Sequence, residues 1–112
     1  ADRGRLDVAI ERIERCLALC RENEEHYYEP ELHRRRAMYQ LRQDGVSSDD
    51  ARSSLLQAAE LARRQEMPRI EALAIKDLLA HFGEDATHRT RLDSLVAINP
   101  KLREFNVNTV EE

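Results

Sequence analysis

The sequence predicts an all-α fold, a single domain over residues 1–112 built of about five helices stacked as antiparallel hairpins. Three observations predict it. Only three glycines and three prolines interrupt the 112 residues, and strong helix formers dominate the rest. Apolar residues recur at steps of three and four along most of the chain. A helix-sized pattern also returns after 42 residues, Ala9 being matched by Ala51.

The first helix spans Asp2 to Asn23. Leu6, Ala9, Ile10, Ile13, Cys16, Leu17 and Cys20 form one apolar stripe, and Glu11 pairs with Arg15 at i, i+4 on the solvated side. The polar segment "NEEHYYEP" breaks the pattern. Pro30 suits the first turn of a second helix, where a missing N–H costs nothing. Glu29 and Glu31 sit at its positive end and Arg34, Arg35 and Arg36 follow, so the charges run with the helix dipole. Gly45 terminates it.

"SSDDA" starts the third helix, with Ser47 or Ser48 as cap and Asp49 and Asp50 in the first turn. This helix runs to about Glu66. Pro68 ends it and opens a fourth, over Arg69 to Phe82, which Gly83 closes. The fourth carries Ile70, Leu73 and Ala74 on one side and Ala72, Ile75, Leu79 and Phe82 on another, so it belongs between neighbours. A fifth, weaker helix holds Leu92, Leu95 and Val96 before Pro100. Residues 106–112 carry no helix signal and read as a frayed tail.

The first and third helices superpose. Ile13 meets Leu55, Cys16 meets Ala58, Leu17 meets Ala59, Leu19 meets Leu61 and Cys20 meets Ala62. The second and fourth fall roughly in step, with Glu31 and Leu32 against Glu71 and Ala72. Paired helices at such a period imply a helical-hairpin solenoid, whose hairpins bury by stacking what they cannot bury alone.

Ala51, Leu55, Ala58 and Leu61 have the spacing Ala-x3-Leu-x2-Ala-x2-Leu, which resembles the second helix of a tetratricopeptide repeat. The 42-residue period exceeds the roughly 34 of that family, so longer turns are implied. "YYEPELHRRRAMYQLRQDG" followed by "DDARSSLLQAAELARRQE" is similar to the C-terminal tetratricopeptide-like region of bacterial signal-transduction ATPases. That group includes large LuxR-type transcription regulators and some adenylate cyclases. The resemblance covers Tyr28 to Phe82, and its most specific part is Glu31-Leu32-His33-Arg34. Arg35 departs from it where leucine is usual, and Ala37 where glycine is usual.

The resemblance implies an order of second-type, first-type, second-type, first-type, second-type helices. The opening second-type helix then has an apolar side with no hairpin partner. Another copy of the chain, giving a homodimer, or upstream sequence of a longer parent protein is expected to cover it.

Composition narrows the function. The net charge of −4 argues against a nucleic-acid partner. No apolar run approaches the roughly 18 residues that span a bilayer. Two cysteines make no disulfide framework, so a cytoplasmic setting is expected. At i, i+4 on a helix their Cβ atoms lie about 5–6 Å apart, too far for a bond that needs about 3.8 Å. Cys16 and Cys20 with His26 and His33 match no zinc signature, because the histidines stand seven apart. The repeat supplies the plainer reading: small buried residues in the places of Ala58 and Ala62.

Consecutive residues on a helix point about 100° apart, so the Arg34–Arg36 run makes no single basic face, and Glu31 pairs with Arg35 at i, i+4. No phosphate loop, nucleophile triad or His-Glu-x2-His motif is present, and neither catalysis nor a cofactor or metal is expected. What remains is a protein or peptide partner, in a signalling or transcription-regulating protein. Glu29, His33, Arg36 and Gln40 share one polar stripe of the second helix, read as solvent-exposed, and are the candidate partner-binding residues. A free-standing dimeric bundle and a nucleic-acid adaptor using Arg34–Arg36 are the alternatives.

Overall fold

The computed structural model describes residues 2–44 and 49–102. Five α-helices pack in sequence: α1 (Asp2–Glu22), α2 (Glu29–Asp44), α3 (Asp49–Arg64), α4 (Pro68–Phe82) and α5 (Ala86–Ile98). A 3₁₀ turn at His26–Tyr28 leads into α2, and another at Pro100–Leu102 follows α5. Among the described residues there is no β-strand. Gly45, the Ser47 or Ser48 cap and the 106–112 tail lie outside the described residues.

Each helix lies against the next, which makes an antiparallel stack of hairpins. The core follows the stack in layers. Ala37, Leu55 and Leu78 meet between α2, α3 and α4, with Met38 and Phe82 against them. Ala72, Ile75, Leu79, Leu92, Leu95 and Leu102 form a second layer under α5, joined by Ala59 and Val96. Separate layers of this kind belong to stacked hairpins; helices closed around one core would merge them. The fourth helix is buried on two sides, as its double apolar stripe requires.

Two turns have the same hydrogen bonds, 42 residues apart. After α1, Glu25 N donates to Cys20 O at 2.7 Å and Glu24 N to Arg21 O at 3.3 Å. After α3, Met67 N donates to Ala62 O at 2.8 Å and Glu66 N to Arg63 O at 3.2 Å. Both are Schellman caps, and in both the left-handed position holds a glutamate: Glu24 at φ 58° and Glu66 at φ 56°. The repeat is therefore a property of the backbone. It also corrects the pairing of the second and fourth helices. Glu29, rather than Glu31, corresponds to Glu71, because Glu29, Pro30 and His33 are buried as Glu71, Ala72 and Ile75 are 42 residues later.

The expectation that Cys16 and Cys20 are buried like their alanine counterparts fails. Ala58 and Ala62 are fully buried, whereas Cys16 is exposed and Cys20 half-buried. The reason lies in the packing. The α3 helix has α2 on one side and α4 on the other, while α1 packs against α2 and touches only the short His26–Tyr28 turn besides, among the element pairs in substantial contact. Ile13 and Leu17 are the buried α1 residues among those described.

Gly83 ends α4 at φ 92°, ψ 165°, a conformation open essentially to glycine. Asp85 then caps α5 by accepting from His88 N at 3.1 Å. Glu66, by contrast, holds a left-handed backbone with a side chain attached, at a cost of about 1 kcal/mol. Glu66→Gly is expected to raise unfolding free energy by about 0.5 kcal/mol after the entropy cost of glycine. Urea denaturation of the two proteins checks this, and a destabilised variant contradicts the cap.

Candidate functional site

The stripe of Glu29, His33, Arg36 and Gln40 was expected on a solvated face. The structure turns it inward. Glu29 is 5% exposed and His33 2%. Arg36 is the hub. Its Nε donates to Ser54 Oγ at 3.1 Å, and its Nη2 donates to His33 Nδ1 at 2.9 Å and to Gln57 Oε1 at 3.2 Å. Ser54 Oγ in turn donates to Gln40 Oε1 at 2.8 Å, and Glu14 of α1 lies 3.8 Å from Arg36 Nη1. Glu29 sits beside His26 and 3.7 Å from Arg21. The cluster ties α1, α2 and α3 together. A repeat that places second-type helices on both sides of α2 closes over this face, and for that reason the stripe is not free surface.

Because Arg36 donates to Nδ1, His33 accepts there and is neutral. Burial pushes its pKa down to about 4, and the nearby Arg36 and Arg21 push the same way against Glu29. Arg36 and His33 thus form a built-in polar core element, and the geometry offers His33 no free nitrogen on the Arg36 side for a proton transfer.

The remaining arginines of the run diverge. Arg34 makes two 2.9 Å bonds to Glu31 and reaches Asp77 on α4 at 3.3 Å. Arg35 points outward and meets Glu31 at 3.2 Å, the i, i+4 pair expected from the sequence. Burial draws the Glu31 carboxyl upward, but bonds from Arg34 and Arg35 outweigh it and hold its pKa below the usual value. Asp77 shifts the other way, raised by burial despite Arg34.

Sequence reading missed Glu71. It is 3% exposed and accepts two bonds from Arg91 of α5, at 2.6 and 2.9 Å. This fork clasps α5 to α4. The signal was available: Glu71 is the repeat counterpart of buried Glu29, once the offset is held at 42. A cavity of about 200 Å³ beside the clasp is lined by Leu56, Ala59, Glu60, Arg63, His88 and others. Among the described residues, His, Cys, Asp and Glu nowhere gather in a group of three or more able to hold a metal ion. Cys16 and Cys20 lie on α1, His26 against Glu29, and His33 against Arg36.

The bare side of α1 is the other feature of note. Val8 is 50% exposed and Leu19 54%, with Cys16 exposed between them. Tyr27 and Tyr28 are exposed in the following turn and stack edge to face, 5.4 Å between centroids. Among the described residues no helix is long and apolar enough to cross a membrane. Family models, curated proteins and solved structures were searched, and none matches this chain.

Two outcomes are expected. Stability is full above about pH 6.5 and falls as pH drops toward about 4, because unfolded His33 takes up a proton that the folded chain refuses. Urea titrations at both ends of that window should show wild type losing about 2 kcal/mol more than His33→Gln; equal losses contradict a buried neutral His33. Arg91→Ala leaves the Glu71 carboxylate buried without its partner and should cost about 1–3 kcal/mol in thermal or urea unfolding. An unchanged midpoint would show the clasp to be inert.

Proposed function

We propose that the chain is a protein–protein interaction module, a tetratricopeptide-like part of a bacterial signalling or transcription-regulating protein, working in the cytoplasm and without catalysis of its own. The observation that carries this reading is the bare apolar side of α1. The corresponding side of α3 is packed against α2, so the α1 face has the composition of a packed surface and no neighbour among the described residues. The stacked architecture supports it as well, since helical hairpins present extended rigid surfaces. The stripe through Glu29, His33, Arg36 and Gln40 supports a docking role less well, because its hydrogen bonds are already made within the fold. A nucleic-acid adaptor has less behind it still. Arg34 and Arg36 are directed at α4 and α3, leaving Arg35 as the outward member of the run.

Replacing Leu19 by a photo-reactive benzoyl-phenylalanine tests the reading in bacterial cells that express the chain. Illumination is expected to join it to a discrete protein, and Val8→Asp in the same chain should abolish that band. Cross-linking to nothing, or retention of the chain on DNA or RNA that weakens steeply with salt, overturns the proposal.

A further inference from the structure

The repeat shows what kind of surface belongs on α1. On α3, Ser54 and Gln57 hold Arg36 of α2, and Ala51, Ala58 and Leu61 complete the same side of that helix. At the 42-residue offset, α1 has Ala9, Arg12, Arg15, Cys16 and Leu19 in those places. The apolar and small positions are kept. The two polar ones have become arginines. Arg15 is engaged by Glu11 at 3.1 Å. Arg12 makes no ion pair or hydrogen bond among the described residues, and neither does Arg5, seven residues earlier on the same side of the helix. Arg5 and Arg12 with Gly4, Val8 and Ala9 line an open groove of about 500 Å³. A neighbouring hollow of about 420 Å³ is bounded by Arg5, Leu6, Tyr39 and Arg42, with the Arg42 guanidinium 6.0 Å from the Tyr39 ring centre.

From this we infer that the α1 face docks an acidic amphipathic helix of a partner protein. The helix lies where α2 lies on α3. It carries a carboxylate where α2 carries Arg36, facing Arg12, and a second one two turns away facing Arg5. Its small or aliphatic residues cover Val8, Ala9, Cys16 and Leu19. Charge selects the class of occupant. Packing Arg12 against a helix like α2 would set it against another arginine, and pairing two α1 faces would set two arginine-bearing strips against each other; a carboxylate-bearing helix relieves both. This inference rests on the interaction reading above and adds the chemistry of the partner.

Two synthetic helical peptides test it with the full chain. Both carry one stripe of alanine and leucine. One has glutamates seven residues apart on that stripe, and the other has lysines there. In calorimetry at moderate salt the glutamate peptide should bind, and Arg12→Glu should weaken it at least about tenfold. The double variant Arg5→Glu, Arg12→Glu should instead prefer the lysine peptide. Both positions are on an exposed helix face, and circular dichroism confirms that the variants fold. Equal binding of the two peptides, or no binding of either, overturns the inference. So does a concentration-dependent dimer in sedimentation equilibrium that Leu19→Glu abolishes, since a second copy would then be the occupant. A discrete cross-link from position 19 together with failure of the glutamate peptide removes the acidic class and leaves the interaction reading standing.

Discussion

The closeness of α3 to both of its neighbours is the constraint on which the stack depends. Ala51, Ala58 and Ala62 have no exposed surface, and Leu55 fills the space between α2 and α4. Small side chains let helix axes approach toward the short end of the usual 8–10 Å range, which multiplies dispersion contacts along the whole interface. A larger residue at Ala58 would push α2 away and open the polar cluster behind it. That cluster is placed by this approach: Arg36 reaches Ser54 and Gln57 together because α3 is near enough to offer both.

Polar groups in this fold act as fasteners between layers. Arg36 joins α2 to α3, Arg34 joins α2 to α4 through Asp77, and Arg91 joins α5 to α4 through Glu71. Each arginine is planar and offers several donors, so one side chain satisfies two or more acceptors. Among the described residues, no buried side-chain nitrogen or oxygen lacks a partner. Buried ionic contacts of this sort contribute modestly to net stability but are costly to break singly, and they fix the register in which helices stack. The two buried glutamates, Glu29 and Glu71, occupy one repeat position and take their cations from opposite directions, Arg21 before and Arg91 after in the chain. The position is kept while the partner changes.

The functional reading follows from where these fasteners are absent. On the far side of α1 the same helix surface that binds α2 on α3 is repeated, with arginines in place of the neutral Ser54 and Gln57. Among the described residues Arg5 and Arg12 on this strip have no ion-pair partner, and an amphipathic helix of opposite charge is the occupant proposed for it. Interaction, in this view, is the stacking rule of the fold applied to a neighbour from another chain.

Local chemistry was legible from residue order alone. The helices, the turn at Gly83, the double apolar stripe of α4 and the Glu31–Arg35 pair all depend on neighbours within a few positions, and sequence periodicity reports such neighbours directly. The 42-residue repeat was legible too, because the same hairpin was written twice. The sides on which helices are covered were not. Cys16 and Ala58 occupy one repeat position, yet one is exposed and the other buried, since burial depends on which elements stand on either side. His33 and Glu29 read as a solvated stripe by helical spacing, and only the approach of α3 and α1 removed them from water. Residue order set the elements and their repeat, through interactions of short range. Tertiary structure alone decided which faces were enclosed, because enclosure depends on contacts between residues far apart in the chain.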